Sequence, residues 1–220
     1  IITVSEEFTR DAANLWNAVQ AQASEAIAQA IDKTFLAGTI PLPGADGVDT
    51  LADAQTVSVK NGKYVDFVKI ATTVLDNNGD LNGIAITNKG LSKFLSAVDE
   101  NGRPLMVPGV GSTELGSAFG ARMIKSPWGY KEAVKASGSG ASAVQAAPEV
   151  LGVAGDWTQA YYGTVQGIRI KMTDTATVKK GATTINLWQR NMIAFLVETE
   201  VGFIVRDKSK FVVITGDNAA

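Results

Sequence analysis

The sequence contains neither cysteine nor histidine among its 220 residues. The lack of cysteine excludes a disulfide framework and a thiolate metal site, and it fits folding in a reducing compartment. The lack of histidine excludes a Ser-His-Asp triad, a Cys-His pair, a histidine general base and any histidine-ligated zinc or iron. The sequence therefore lacks the residues that most common hydrolases use for catalysis.

Long hydrophobic runs and a strong excess of one charge are also absent. No apolar run reaches the length of about eighteen residues that a membrane-spanning helix needs. The net charge of −2 gives no general footprint for nucleic-acid binding. With 45% hydrophobic and 19% charged residues, the chain has the composition of a globular protein that can bury a substantial core. It begins with Ile rather than Met, so we expect it to be trimmed at its start.

The strongest periodic signal lies near the C-terminus. In the last five positions of residues 165–172, apolar and basic side chains alternate, which predicts a half-buried strand. In residues 193–205 every odd position except Thr199 is apolar, which predicts a second strand of roughly 40 Å, far longer than usual. The intervening residues 173–187 predict a solvated hairpin loop. The alternation in the first strand sets Ile168, Ile170 and Met172 against Arg169 and Lys171.

The N-terminal region predicts one long helix. Apolar residues recur in steps of three and four over residues 5–38, with Thr3 or Ser5 as the N-terminal cap and Gly38 as the stop. Such a helix would be about 50 Å long, and a break near residues 9–11 is compatible with the pattern. A plain amphipathic core helix and a rod laid along the extended sheet both fit, and the long strands favour the rod.

The middle third alternates between strand and helix signals after a connector rich in proline and glycine. This alternation predicts a compact α/β unit. A Ser- and Gly-rich surface loop follows, but it lacks the Gly-Lys-Ser/Thr ending of a phosphate-binding loop. The predicted segments are a connector at 39–53, a strand at 55–59, a helix at 63–75, a strand at 83–86, a helix at 88–96 opened by Asn88, a turn at 100–104 and the loop within 127–148.

The best candidate for a metal site is the polar segment from Asp76 to Gly83. Aligned as a calcium loop, it places Asn78, Asp80, Asn82 and Gly83 at the first, third, fifth and sixth positions. The first position should be Asp, and the twelfth, which needs a bidentate Glu, is Lys89. A polar turn between a helix and a strand explains the same residues, so we predict no metal site.

Paired carboxylates are the remaining candidates for chemistry. Glu198 and Glu200 share one strand face at roughly 7 Å, close to the spacing of paired glycosidase carboxylates, and Asp76 and Asp80 form a second pair. An exposed sheet face in contact with Arg or Lys of a neighbouring copy explains the glutamates more simply. We therefore predict no catalytic, cofactor-binding or metal-ligating residues. The scattered tryptophans predict core or interface packing rather than a stacking platform; they are Trp16, Trp128, Trp157 and Trp188.

Several motifs together resemble one family. The C-terminal part resembles tailed-phage major capsid proteins with the Hong Kong 97 fold. It carries GDWTQAY at 155–161, GIRI at 167–170, NLWQRN at 186–191 and ETEVGFIVRD at 198–207. Upstream, VSEE at 4–7 and AIDKTFLAG at 30–38 resemble the family's spine helix, and GIAITN at 83–88 with DENG at 99–102 resembles its axial-domain core. The order and spacing of the motifs make the resemblance specific.

The resemblance implies a fold. This fold is of the α+β class and Hong Kong 97 type, with a long spine helix packed on an elongated antiparallel sheet. Residues 1–55 and 165–220 would form the peripheral domain, and residues 56–164 a compact α/β axial domain. Family members usually carry an N-terminal arm and an extended loop before the spine helix, and we expect both to be missing here.

The resemblance also implies a structural function. The chain would be a major capsid subunit that assembles with copies of itself into pentamers and hexamers of an icosahedral head. Scaffolding and portal proteins would be further partners and packaged DNA a non-specific one, without cofactor, small-molecule substrate or membrane. The protein would be made in the bacterial host cytoplasm and reside in the virion capsid. A nanocompartment shell of the encapsulin type is the alternative, and a carboxylate-dependent hydrolase using Glu198 is the least favoured.

Overall fold

A computed structural model describes residues 1–7, 12–38, 48–99, 101–104, 116–138 and 143–218. The helices in these residues are α1 (Ala12–Phe35), α2 (Tyr64–Asp76) and α3 (Asn88–Leu95). The strands are β1 (Ile2–Ser5), β2 (Gln55–Ser58), β3 (Gly83–Ile86), β4 (Ser117–Ala118), β5 (Ala121–Lys125), β6 (Val150–Gly155), β7 (Ala160–Thr173), β8 (Thr177–Lys180), β9 (Thr183–Asn186), β10 (Met192–Val205) and β11 (Phe211–Thr215). The predicted α+β class is confirmed.

The contacts between residues divide the chain into two compact units. Unit 1 comprises Ile1–Gln29 and Gly163–Gly202, and unit 2 comprises Ala30–Tyr162 and Phe203–Ala220. The predicted domain limits differ, because residues 30–55 and 203–220 fall in unit 2. The reason is strand pairing: β11 lies inside the sheet of unit 2, parallel to β2 and antiparallel to β6. The names peripheral and axial stay predictions.

Unit 1 is built on a three-stranded sheet in the order β1-β10-β7. β1 is antiparallel to β10, with Ile2 opposite Phe195 and Val4 opposite Ile193. Val19 of α1 is buried against Ile193 and Phe195, so the predicted packing of the long helix on the sheet is confirmed. The predicted long strand at 193–205 is also confirmed, as the fourteen residues of β10.

The start of the predicted helix is wrong. Residues 2–5 form β1 rather than helix, so Thr3 and Ser5 do not cap α1. Ile2 and Val4 point apolar side chains toward the cluster of Val19 and Phe195, and this burial explains the strand. The predicted break at 9–11 lies outside the described residues. The stop is confirmed, since Gly38 has φ +58° and its N–H donates to Thr34 O at 3.1 Å.

Two expectations for the C-terminal hairpin also need correction. The predicted loop at 173–187 contains the antiparallel pair β8 and β9, because Val178 and Leu187 bury against Ala194. The strand predicted at 165–172 exists within β7, but it is less buried than expected. Ile170 packs on the cluster around Val19, whereas Ile168 and Met172 are exposed.

Unit 2 contains a six-stranded mixed sheet in the order β2-β11-β6-β3-β5-β4. The predicted strands at 55–59 and 83–86 and the predicted helices at 63–75 and 88–96 are confirmed. α2 and α3 share one buried cluster with the sheet, in which the rings of Phe67 and Phe94 meet edge to face at 4.5 Å between centroids. Both faces of β3 are covered, and all its residues are buried.

Smaller differences concern the turns of unit 2. Thr87, not Asn88, caps α3, because its Oγ1 accepts the N–H of Gly90 at 3.1 Å. The region predicted as a loop at 127–148 is partly extended, with Val134 bridged to Ala147 and Ser137 to Val144. Residues 39–47 of the predicted connector, residue 100 of the predicted turn and residues 139–142 lie outside the described residues. None of the described helices is long and apolar enough to cross a membrane.

Candidate functional site

The carboxylate candidate Glu198 is part of an ion pair. Its Oε1 lies 2.6 Å from Lys171 Nζ and 3.9 Å from Arg169 Nη1, both on the adjacent strand β7. The basic partner that we expected from a neighbouring copy is therefore supplied by the same chain. The Lys171 hydrogen bond holds the pKa of Glu198 below its usual range. A carboxyl group kept ionised in this way does not supply the proton of a general acid.

The polar segment from Asp76 to Gly83 is tied into the fold. Asn82 Nδ2 donates to Asp156 Oδ1 at 3.1 Å, and the N–H of Trp157 donates to Asn82 Oδ1 at 3.0 Å. Asp80 contributes its backbone N–H to Asp156 Oδ2 at 3.5 Å. In the part of the chain that the structure describes, no three acidic side chains come together as metal ligands. These residues join two segments of unit 2.

Asp156 is a buried residue that the sequence reasoning missed. Burial raises the pKa of its carboxyl group, but hydrogen bonds from Thr158, Asp80 and Asn82 outweigh burial and lower the pKa overall. Both the N–H and the Oγ1 of Thr158 donate hydrogen bonds to Asp156 Oδ1. The spacing Asp-x-Thr is typical of a side chain that caps its own turn, and this local signal was available in the sequence.

The tryptophans whose side chains the structure describes, Trp128, Trp157 and Trp188, have different surroundings. Trp157 donates from Nε1 to Gly83 O at 2.9 Å and packs edge to face on Phe211. Trp128 is half-buried with Lys33 Nζ 5.8 Å from its ring centroid. Trp188 is 73% exposed, and the side chain of Trp16 lies outside the described residues. The predicted packing role is therefore confirmed for Trp157 and Trp128, whereas Trp188 faces solvent.

A second charged network lies at the start of β6. Lys89 Nζ donates to Tyr130 Oη at 2.6 Å, and Tyr130 Oη donates to Glu149 Oε2 at 3.2 Å. The hydrogen bond to Tyr130 raises the pKa of Lys89. Glu149 also accepts the N–H of Asp217 at 3.2 Å, and Lys93 Nζ lies 3.0 Å from Asp217 Oδ2. The network fastens the segment around residue 217 to unit 2.

The most exposed long element is β7, which is the candidate contact surface. In the sheet β1-β10-β7 it pairs with β10 on one side, and no strand pairs with its other side among the described residues of unit 1. Val165, Ile168 and Met172 are 79%, 48% and 64% exposed. A long edge strand with large apolar side chains is a template for contact with another chain. We call this feature the free edge of β7.

Comparisons with known proteins agree on one family. A model described as the Phage capsid family matches residues 1–216. The "Probable major capsid protein gp17" of Mycobacterium phage L5 is 30% identical over 251 residues, covering 100% of this chain and 68% of that protein. The protein of the same name in Mycobacterium phage D29 is 25% identical over 225 residues, covering 98% and 67%.

A solved structure from Gordonia phage Cozz has the same fold. It superposes with a TM-score of 0.72 at 20% sequence identity, over 99% of this chain and 69% of that one. The family model spans nearly all of the sequence, including the elements of both units. The fold and the sequence match lead to the same conclusion, and the chain belongs to the phage capsid family.

Proposed function

We propose that this chain is a major capsid subunit that assembles with copies of itself into pentamers and hexamers of an icosahedral head enclosing DNA. The observation that carries the proposal is the free edge of β7. No residue of this fourteen-residue strand is buried by the described chain. Membership of a capsid family supplies the class of partner, which is further copies of the same protein.

Burial of the free edge would drive association. Apolar surface contributes about 25 cal/mol per Å² when it leaves water, and an edge strand also offers backbone N–H and C=O groups. Head-to-tail contacts that close on themselves generate rings. Many such contacts, each modest, sum to a stable container. No catalytic step, cofactor or small-molecule substrate is required.

We propose unit 1 as the peripheral domain and unit 2 as the axial domain of the subunit. This proposal is supported by the three-stranded sheet of unit 1, which also contains residues 12–29 of α1, and by the six-stranded sheet of unit 2. Scaffolding and portal proteins are proposed as further partners, and the virion capsid as the final location after synthesis in the host cytoplasm.

Packaged DNA is proposed as a non-specific partner. Arg169 and Lys171 lie on one face of β7, but Lys171 is paired with Glu198. The net charge of −2 also disfavours strong attraction to phosphate. We therefore expect weak, salt-sensitive DNA contacts without sequence preference.

The proposal is tested by following assembly in solution and by electron microscopy. We expect the purified protein to form rings and shells. The double substitution Ile168→Lys and Met172→Lys should abolish rings and shells, because two charges would enter the buried contact. Circular dichroism should stay unchanged, since both side chains are exposed in the monomer.

A matched control places two lysines on α2 of unit 2. Val65 and Leu75 are exposed to a similar degree, and Val65→Lys with Leu75→Lys should leave assembly at the wild-type level. A wild-type protein that stays monomeric under every assembly condition would contradict the proposal. Particles from producing cells should contain DNA; a protein cargo instead would favour the compartment alternative.

A further inference from the structure

Trp188 is the most exposed tryptophan among the described residues, and its backbone is tightly held. It opens a 3-10 turn over Trp188–Arg190, whose preceding residue, Leu187, is fully buried against Val178 and Ala194. Gln189 N–H donates to Asn186 Oδ1 at 3.1 Å. An exposed aromatic ring on a fixed backbone loses little entropy on binding, which is typical of interface anchors.

The surroundings of Trp188 carry both signs of charge. A groove of about 190 Å³ beside the ring is lined by Glu6, Asp174, Leu187, Trp188, Asn191 and Met192. Glu6 is held there by its N–H, which donates to Asn191 O at 2.9 Å. Arg190 belongs to the same turn and is exposed. We call Glu6, Asp174, Trp188 and Arg190 the Trp188 patch.

The aromatic ring and the charges of both signs in the Trp188 patch indicate which class of molecule binds there. Two carboxylates beside the ring oppose the phosphates of a nucleic acid. A patch that presents an apolar anchor, carboxylates and a guanidinium together is complementary to itself, because the Arg of one copy can meet the acids of another. Planar guanidinium groups pair well with carboxylates at interfaces. The charges therefore indicate a second copy of this chain.

We propose that the Trp188 patch is a contact between copies of this chain, in which Trp188 of one copy packs at the acidic groove of the next and Arg190 pairs with Asp174. The proposal rests on the self-assembly proposed above and adds a contact that uses other residues than the free edge of β7. It assigns Trp188 the role of apolar anchor and the Arg190–Asp174 pair the role of setting the register.

The first test measures self-association of Trp188→Ala by sedimentation velocity over a dilution series. Loss of an interface anchor costs about 2 kcal/mol or more, so we expect self-association to weaken about thirty-fold. Trp188→Phe should retain most of the association, because the aromatic contact remains. Gln189→Ala, at an exposed position of the same turn, is the matched control and should behave as wild type.

The second test exchanges charges between copies. Arg190→Glu and Asp174→Arg should each weaken association, because each places like charges together at the contact. An equimolar mixture of the two variants should regain association, since the new carboxylate at position 190 of one variant then faces the new guanidinium at position 174 of the other. A purely structural role of either residue does not produce rescue between different chains.

The outcomes separate this proposal from the assembly proposal. If the wild type assembles, while Trp188→Ala associates normally and the mixture shows no rescue, the Trp188 contact is overturned and self-assembly stands. A wild type that never associates overturns both. Loss of DNA retention with unchanged association in Trp188→Ala would overturn the copy-to-copy contact in favour of a nucleic-acid contact. If Trp188→Ala unfolds, the mixture of Arg190→Glu and Asp174→Arg decides: regained association supports the Trp188 contact, and no regained association overturns it.

Discussion

The strands of the two units differ in how much their own chain covers them. In unit 2, every residue of β3 and of β11 is buried, because neighbouring strands and helices cover both. β7, which lies mostly in unit 1, has no buried residue, and Trp188 is exposed at the turn before β10. Some strands of this protein are therefore fully buried by their own chain, whereas β7 remains largely exposed to solvent.

This difference indicates where stability and assembly reside. Unit 2 gains its stability from a core that its own chain completes, in which Phe67, Ile84 and Leu151 lie in one cluster. Unit 1 has smaller clusters around Val19 and Val178 and leaves apolar side chains of β7 in water. Substitutions in unit 2 should therefore act on folding, and those on the exposed surface of unit 1 on association.

The largest effect is expected from Phe67→Ala in unit 2. Phe67 is 2% exposed and packs edge to face on Phe94. Loss of a buried phenylalanine with the resulting cavity costs about 3–5 kcal/mol. Urea denaturation followed by circular dichroism should show this loss in the free energy of unfolding.

The counterpart in unit 1 is Val165→Ala on β7. Because its side chain is almost fully exposed, we expect the free energy of unfolding of the monomer to change by less than about 0.5 kcal/mol. Equal losses for the two substitutions would break the distinction between the units.

A smaller effect is expected from Gly90→Ala at the start of α3. Thr87 holds this helix against β6, with its N–H and Oγ1 both donating to Leu151 O. A methyl group on Gly90 would meet that carbonyl oxygen and the side chain of Ile86. Overpacking against backbone costs about 1–3 kcal/mol even after the gain in helix propensity, and thermal unfolding should report a lower Tm.

Gly167→Ala is the matched control for Gly90→Ala. Gly167 lies in β7, and an added methyl group there meets nothing within 4 Å. We expect a Tm equal to or above that of the wild type, since alanine restricts the unfolded chain. A lower Tm for Gly167→Ala would show that β7 is covered within the monomer, contrary to its exposure.

The long periodic elements could be predicted from the sequence, because their signals are local. The alternation over 193–205 predicted β10, and the three-and-four spacing predicted most of α1 and α2. The face that α2 buries was less predictable: Tyr64 and Leu75 share the helical spacing of the apolar residues in the predicted helix at 63–75, yet both are exposed. Which part of a stripe is covered depends on the sheet beneath it and on neighbouring copies.

Elements set by distant partners could not be predicted. β1 has only four residues, too few for a periodic signal, and it exists because β10 pairs with it. Asp156 accepts a hydrogen bond from Asn82, which is 74 positions away in the sequence. Glu198 finds Lys171 across the sheet rather than on another copy. Such partners follow from strand order and register, which the local pattern does not specify.

Acid should weaken unit 2 through Asp156, which is 5% exposed. Its pKa is lowered in the folded state, so its contribution is fully present above the unfolded aspartate pKa of about 3.9. It is lost as the pH falls through the lower folded pKa. Asp156→Asn keeps one acceptor oxygen and should cost about 1 kcal/mol at neutral pH, with a smaller loss of stability than in the wild type as the pH falls below about 4.

The control for Asp156 is Asp207→Asn, at another carboxylate of unit 2. The hydroxyl and N–H of Ser209 lower the pKa of Asp207. Because both of these donors belong to one residue two positions along the chain, Asp207→Asn should change the acid unfolding profile less. Equal changes for the two variants would contradict a special role of Asp156.

The smallest effect is expected from Glu198→Gln on the sheet of unit 1. The ion pairs of Glu198 with Lys171 and Arg169 lie on an exposed face, where salt screens them. Its folded pKa is lowered by Lys171, so the stabilisation is present above the unfolded glutamate pKa and is lost on acidification through the folded pKa. We expect a slight decrease in Tm at low salt and neutral pH that disappears at about 1 M salt. A decrease that persists at high salt would mean that the pair is shielded from water, and unit 1 would then resemble unit 2 in being covered by its own chain.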